Sequence, residues 1–245
     1  MYNPFMASWI VHLQLAENLM GLIPGLHPDS FAVGSIAPDS GIPDEKWEKF
    51  DPPTEVTHIG IPDRTDIYCA DLEFFRKYLL PLRGEMETAA FSFRLGYFFH
   101  LVTDNLWHQQ IGRPTTEKYS AEFAADKDFI WEVKKDWYGL DFIYLRDHPG
   151  CLFWKVFLAA EPETGGLDFL PLEGVQRQLT YIQEYYQRTD ETVQRLYNRP
   201  YLYLSAEDRN HFVQATSVTL NRIYQWIWVQ AQPTDEAASA LDMLV

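Results

Sequence analysis

The hydrophobic positions of this chain recur with helical spacing over most of its length. Trp9, Leu13 and Ala16 follow Ser8 at intervals of three or four residues, and serine is a residue type that favours helix N-caps. Pro24 ends this first predicted helix. The same spacing predicts further helices at 30–36, 66–80, 85–111, 117–145, 151–160, 172–197 (with a bend near Thr189) and 205–230.

Helix-breaking and helix-capping residues mark the ends of these segments. Gly112 and Pro114 are predicted to end the helix over 85–111. Ser205 with Asp208 resembles a capping box and is predicted to begin the last helix.

The remaining segments complete a predicted all-α architecture. Residues 39–65 are rich in proline and glycine and are predicted to form a loop. No run alternates between polar and apolar residues as a strand would. We therefore predict a single-domain multi-helix bundle over residues 1–232, followed by an acidic segment, 233–245, that is expected to fray.

Composition narrows the classes of function. The 245 residues include 20 Lys and Arg against 35 Asp and Glu, a net charge of −15, which argues against a basic nucleic-acid-binding face. An anionic substrate is still compatible with this charge, because a bound metal ion reverses the local field. No apolar run is long enough to span a bilayer, and residues 1–9 lack the pattern of a secretory signal. A cytoplasmic location is therefore predicted, with the mature form of a processed protein as the alternative. The sequence does not indicate an oligomeric state.

Two polar residues stand out within the most apolar predicted helix. His100 and Asp104 are four residues apart, so a helix places both on one face. A buried imidazole beside a carboxylate suits a metal ion, and zinc needs three or four such groups to converge. His12, Asp39 and His58 are further candidates in apolar or proline-punctuated surroundings. Each residue alone has an ordinary explanation as a core histidine, a turn aspartate or a helix-surface pair, and only their combination predicts a zinc site.

Four short motifs lie in the N-terminal half: WIVH at 9–12, GSIAPD at 34–39, TH at 57–58 and GYFFHLVTD at 96–104. Together they resemble the bacterial zinc-dependent phospholipase C family, whose superfamily includes the fungal single-strand nucleases. The resemblance is specific over roughly residues 9–108 and extends to the C-terminal half only in length and helical character. It implies an all-helical single domain with one to three zinc ions, other divalent metals being an alternative.

The resemblance also implies roles for individual residues. Asp39, His58, His100 and Asp104 resemble the ligands of one metal ion. Asp104 would bridge to a second ion, which His12 would also bind. At least one metal is therefore expected, at the first four residues, and the expected total is two.

Two features depart from the family pattern. In secreted relatives the N-terminal amine and a tryptophan carbonyl complete the second site, whereas Trp9 is internal here. His108 resembles the first ligand of a third site, which relatives complete with a His-x-x-x-Glu pair that this chain lacks. Glu132, Asp136 and Asp141 are the carboxylates available on the next predicted helix, and exposed or capping acids are the alternative explanation for them.

Such a metal centre predicts hydrolysis of a phosphoric ester, with Asp39 as the candidate general base. The resemblance favours a phospholipase C-like phosphodiesterase whose substrate is a phospholipid. The alternatives are a phosphatase or nuclease acting on a soluble substrate, and a non-enzymatic protein that keeps a structural metal. Phe31, Trp107, Trp131 and Trp137 are candidates for a substrate cleft, although tryptophan is more often found in the core.

Overall fold

The computed structural model describes residues 6–45, 49–61 and 67–243. Its α-helices are, in chain order, α1 (Trp9–Met20), α2 (Pro28–Gly34), α3 (Thr54–Thr57), α4 (Asp71–Phe74), α5 (Ala89–Trp107), α6 (Arg113–Lys118), α7 (Ser120–Ala125), α8 (Phe129–Asp147), α9 (Leu152–Lys155), α10 (Leu172–Tyr186), α11 (Glu191–Tyr197) and α12 (Ala206–Tyr224). π-helical turns follow α4, α5 and α12 at Phe75–Leu79, His108–Gly112 and Gln225–Val229. The predicted all-α class is confirmed, because regular structure in the described residues is almost wholly helical.

One short antiparallel pair of strands lies among the helices. β1 (Ile42–Pro43) pairs with β2 (Phe50–Asp51). Both strands, together with α3 and the 3-10 turn Ala37–Asp39, fall within or next to the segment 39–65, which the sequence predicts to be a loop without strands. Strands of two residues are too short to show the alternating pattern by which a strand is predicted.

Helix α5 runs through the centre of the molecule. Thr88 caps it, since its Oγ1 accepts a hydrogen bond from the N–H of Phe91 at 3.1 Å. Nearly every residue from Phe91 to Trp107 is buried, as expected for a helix that is apolar on all sides. Helices α1, α2, α4 and α12 pack around it. Among the described residues, no helix is both long and apolar enough to cross a membrane.

Two glycines bring α2 and α5 into close backbone contact. A Cβ atom on Gly34 would lie 2.0 Å from the carbonyl oxygen of Phe93, and one on Gly96 would lie 2.5 Å from that of Phe31. Side chains larger than hydrogen therefore do not fit at either position. This contact holds the carbonyl group of Ser35, which follows α2, against α5 beside the candidate metal ligands.

The chain does not leave its helical path at Gly112 and Pro114, where the sequence predicts a break. It continues from α5 through the π-helical turn His108–Gly112 directly into α6. Pro114 lies in the first turn of α6, the part of a helix in which proline is tolerated, directly after the π-helical turn.

Two long predicted helices are divided in the structure. The segment 117–145 contains α7 and most of α8, and the segment 172–197 contains α10 and α11, which meet near Thr189 where a bend is predicted. The helix predicted over 66–80 begins at Asp71, and its predicted start at position 66 lies outside the described residues. Hydrophobic spacing continues across such short breaks, so it locates them poorly.

The C-terminal segment packs against α4 through residue 243, whereas the sequence predicts that 233–245 frays. Asp71, at the start of α4, accepts hydrogen bonds from Oγ of Ser239 and from the N–H of Ala240. Arg76 donates hydrogen bonds to two carbonyl groups of the segment. A buried carboxylate on α4 therefore orders a segment whose acidic composition alone suggested fraying.

Candidate metal centre

Four side chains from three elements converge on one point beside α5. Asp39 ends a 3-10 turn, His58 follows α3, and His100 and Asp104 lie one turn apart on α5. Nε2 of His58 lies 3.3 Å from Asp39 Oδ1 and 3.5 Å from Asp104 Oδ2. Nε2 of His100 lies 3.2 Å from Asp104 Oδ2 and 3.9 Å from Asp39 Oδ1. The two Nε2 atoms are 3.3 Å apart.

These separations match those of the ligand atoms around a tetrahedral zinc ion. With bonds of about 2.0–2.1 Å, two ligand atoms of such a site lie about 3.3 Å apart. Five of the six separations among these four atoms range from 3.2 to 3.9 Å. Two imidazole nitrogens and two carboxylate oxygens also form a donor set that zinc binds well.

Hydrogen bonds to the other ring nitrogens hold both imidazoles in place. Nδ1 of His100 lies 2.9 Å from the carbonyl oxygen of Ser35, so this nitrogen carries a proton that it donates. Nδ1 of His58 lies 3.0 Å from Oγ1 of Thr57. Supporting contacts of this kind fix the ring orientation of metal-binding histidines and direct Nε2 toward the ion.

The indole of Trp9 orients Asp39 in the same way. Its Nε1–H donates a 2.9 Å hydrogen bond to Asp39 Oδ2, leaving Oδ1 directed at the imidazoles. The ring is itself held by aromatic contacts with Tyr138, Tyr181 and Tyr185. Trp9 therefore contributes to the site through its side chain, from the first turn of α1.

The centre is almost fully shielded from solvent, and its imidazoles and carboxylates shift one another's pKa values. The side chains of His58, His100 and Asp104 are at most 1% exposed, whereas Asp39 is 12% exposed. Burial alone would lower the pKa of His100, but the carboxylates of Asp104 and Asp39 raise it to about 9. Burial opposes ionisation of both acids, yet the neighbouring imidazoles hold the pKa of each carboxyl group below its usual value.

His12 extends the centre on the opposite side of Asp104. Its Nε2 lies 3.4 Å from Asp104 Oδ1, and its ring stacks on that of His100 with centroids 3.9 Å apart. Burial and the neighbouring His100 lower the pKa of His12. The backbone N–H of Ala7 donates a hydrogen bond to the same Oδ1 atom at 3.1 Å. Asp39, His58 and His100 form one group of potential ligands and His12, His100 and Asp104 form a second, with His100 common to both. The 3.5 Å between Asp104 Oδ2 and Nε2 of His58 adds Asp104 to the first group as well.

Buried polar atoms at the centre indicate that a cation fits there. Asp104 Oδ2 and His12 Nε2 have no hydrogen-bond partner of normal geometry within the described part of the chain. Buried polar atoms are rarely left unsatisfied in folded proteins. A divalent cation held by Asp39, His58, His100 and Asp104 would supply the interaction that Asp104 Oδ2 lacks, so these residues fit zinc. Nε2 of His12 faces the other oxygen of Asp104 and lies outside this set.

The sequence profile of the family described as zinc dependent phospholipase C matches residues 9–136, slightly more than half of the 245 residues. The chain belongs to the zinc-dependent phospholipase C family. The matched range contains every member of both ligand groups. No curated protein and no solved structure matches the chain significantly.

Asp136 and Glu132 form ion pairs with Arg199. The sequence predicts that both acids complete a third zinc site in this phospholipase C family member. Asp136 is fully buried and accepts hydrogen bonds from Nε of Arg199 at 2.5 Å and from the N–H of Tyr203 at 2.7 Å. Glu132 lies 3.0 Å from Nη2 of Arg199 and also contacts Lys135. The structure therefore accounts for both acids without a metal ion.

The other two residues predicted for the third zinc site also lie apart from the ligand groups. Asp141 is buried and accepts hydrogen bonds from Oγ of Ser8, from the hydroxyl group of Tyr186 and from Arg209. His108 is half-buried at the start of the π-helical turn after α5. Neither belongs to a group of potential metal ligands formed by residues 6–45, 49–61 and 67–243.

A cavity of about 340 Å³ lies beside the first ligand group, with Asp39 and His58 in its wall. Much of the remaining wall is aromatic and consists of Trp9, Phe50, Trp131, Trp137, Tyr138 and Tyr181. Trp131 and Trp137, two of the aromatic residues predicted to line a substrate cleft, line this cavity. Phe31 and Trp107, predicted for the same cleft, are fully buried in the core.

Three residues at the site have roles that sequence reasoning did not identify: the indole of Trp9, the carbonyl group of Ser35, and Lys134. Lys134 lies in the cavity wall and is only 5% exposed. Its signal in the sequence is its spacing, because it stands three residues from both Trp131 and Trp137 on one helix. The other two contacts depend on chain segments that are distant in sequence.

Proposed function

We propose that this chain is a metal-dependent phosphoric ester hydrolase, and specifically a zinc-dependent phosphodiesterase of the phospholipase C type. The observation that carries the proposal is the convergence of Asp39, His58, His100 and Asp104, of which Asp39 and His58 lie in the wall of a cavity. Zinc bound by these residues would polarise a phosphoryl oxygen and lower the pKa of a water molecule.

Asp39 is more accessible to a substrate than Asp104 is. Asp104 is fully buried between imidazoles, so its role is to bind metal. Asp39 borders the cavity, and its lowered pKa keeps it ionised at neutral pH. The hydrogen bond from Trp9 fixes its orientation. We propose that Asp39 binds metal and also accepts a proton from the attacking water.

The aromatic wall supports a substrate with an organic group attached to the phosphate. Ligand pockets are mostly apolar, with a few polar groups that fix orientation. Here Trp131 and Tyr181 are 51% and 43% exposed, so large apolar surfaces face the cavity and solvent. A phospholipid headgroup with its glycerol linkage has the matching chemistry.

The alternatives receive less support from the structure. A structural metal site would be closed on all sides, whereas this ligand group borders a cavity. A nuclease acting on a long polyanion would have to overcome a net charge of −15. The cytoplasmic location and the number of metal ions stay predictions from the sequence.

The proposal is tested by assaying zinc-loaded protein on p-nitrophenyl phosphorylcholine, bis-p-nitrophenyl phosphate, p-nitrophenyl phosphate and single-stranded DNA. We expect hydrolysis of the diesters to exceed that of the monoester, to stop on chelation and to return when zinc is restored. Preferred hydrolysis of the monoester or of DNA would favour a phosphatase or nuclease. Bound zinc without chelator-sensitive hydrolysis of any of these esters would identify a non-enzymatic metal protein.

A further inference from the structure

The cavity beside the metal ligands holds a buried cation, Lys134. Among the described residues that line the cavity, it is the single lysine or arginine. Helix α8 places Trp131 and Trp137 three residues before and after it. The Nζ atom lies 5.3 and 5.8 Å from the centroids of their rings, within the range of cation–π contacts.

Burial of Lys134 acts against the charged form of its side chain. Burial disfavours an ammonium ion, and it lowers the pKa of Lys134 to about 8. The carboxylates of Asp39 and Asp104 oppose this shift. When zinc offsets those two carboxylates, an anionic phosphate would take over their role in favouring the charged ammonium group. Lys134 shares the cavity wall with Asp39 and His58, two members of the ligand group.

Charge balance at the centre indicates what this cation would contact. The two carboxylates offset the two positive charges of a zinc ion, and the imidazoles are neutral as ligands. Zinc together with Asp39 and Asp104 therefore has no net charge to offset a phosphodiester anion. Lys134 supplies one positive charge at the wall of the same cavity.

We infer that Lys134 binds the substrate phosphate, its Nζ donating a charge-assisted hydrogen bond to a non-bridging phosphoryl oxygen. The ester class rests on the proposed function, whereas phosphate binding does not depend on turnover. The two indoles orient the ammonium group and shield it from solvent, which strengthens its interaction with an anion.

The test measures inorganic phosphate binding to zinc-loaded protein by isothermal titration calorimetry. Lys134→Met keeps the length and apolar stem of the side chain without its charge, and Lys134→Arg keeps the charge. Lys135→Met is the matched control, because Lys135 is the next residue of α8 and is 53% exposed beside Glu132. Zinc content and thermal unfolding are measured on every variant, and Lys134→Gln serves as a second neutral variant if Lys134→Met folds poorly.

We expect the neutral variants to bind phosphate about 10- to 100-fold more weakly at unchanged zinc content, with a similar loss in kcat/KM. Lys134→Arg and Lys135→Met should stay within about threefold of the parent protein. Phosphate affinity unchanged in the neutral variants would overturn the inference and leave Lys134 a packing role only. Failure of the parent protein to bind phosphate at millimolar concentration would overturn it as well. If phosphate binding depends on Lys134 but no ester is hydrolysed, the proposed function fails while this inference stands.

Discussion

Asp104 Oδ2 lies 3.2 Å from Nε2 of His100, one turn earlier on the same buried helix. Its other oxygen faces His12 at 3.4 Å, so one carboxylate joins the two groups of potential ligands. Because α5 is packed on all sides, neither side chain can move away without disturbing the core. The centre is therefore preorganised around a rigid i,i+4 pair.

Removing one member of this pair should abolish tight metal binding. We expect His100→Ala to lower zinc affinity by more than about 100-fold, beyond the 10- to 100-fold typical of losing a supporting hydrogen bond. Zinc content after dialysis, measured by inductively coupled plasma mass spectrometry, checks this expectation. His148→Ala is the control, because His148 is exposed after the end of α8. Full zinc stoichiometry in His100→Ala would show that the ligands are assigned wrongly.

Trp9 should act as a positioning residue for Asp39. Trp9→Phe keeps an aromatic ring but removes the N–H that donates to Asp39 Oδ2. We expect zinc affinity to fall about tenfold, with a further loss in kcat on the zinc-saturated protein. Trp154→Phe is a matched control, since the indole of Trp154 donates to the carbonyl group of Leu145. Equal zinc affinity in the parent protein and Trp9→Phe would contradict the positioning role.

Zinc affinity should increase with pH up to about 9. Burial lowers the pKa of His100, but Asp104 and Asp39 raise it to about 9, so without a bound ion its imidazole is protonated at pH 7. Zinc binds the neutral ring and must displace that proton. We expect affinity to rise about tenfold per pH unit from about pH 7 to 9 and then to level off. Competition with a chromophoric chelator measures the slope, and a flat profile over this range would count against the coupling.

His12 should be dispensable for the ion bound by the first ligand group. Only two atoms of the second group are not already in the first: Nε2 of His12 and Oδ1 of Asp104. The N–H of Ala7 already donates a hydrogen bond to Oδ1 of Asp104. We therefore expect one tightly bound zinc ion per chain, retained in His12→Ala. A second equivalent that is lost selectively in His12→Ala would instead establish a two-metal centre.

The sequence predicts the α5 part of the centre better than the rest, for a physical reason. His100 and Asp104 share one helix, so their four-residue spacing determines that they share a face. Asp39 and His58 lie in turns, where no periodicity relates them to α5. Their surroundings made them candidates, and the family resemblance joined them with His100 and Asp104 as ligands of one ion. Lys134 could not be identified as a site residue because sequence alone does not show that its helix borders a cavity.

The C-terminal segment illustrates the same limit for the fold. Composition predicted that it frays, yet Asp71 accepts hydrogen bonds from Ser239, Ala240 and Asn105. Asn105 also accepts hydrogen bonds from the backbone next to α4. Long-range partners of this kind cannot be recognised from local patterns.

Loss of the Asp71 carboxylate should therefore destabilise the whole molecule. We expect Asp71→Ala to lower the free energy of unfolding by about 3 kcal/mol, because several buried donors lose their acceptor. Urea unfolding followed by circular dichroism measures the change. Asp235→Ala, an exposed acid of the same segment, should change stability by less than about 0.5 kcal/mol. Equal midpoints for the two variants would show that the segment contributes little.

The central claim is that Asp39, His58, His100 and Asp104 bind one zinc ion. Anomalous diffraction from crystals of the full chain, recorded above and below the zinc absorption edge, tests it most directly. We predict a zinc peak about 2.0–2.2 Å from Oδ1 of Asp39, Nε2 of both histidines and Oδ2 of Asp104. The account would be contradicted by these four side chains turned apart with no peak between them, or by zinc bound elsewhere.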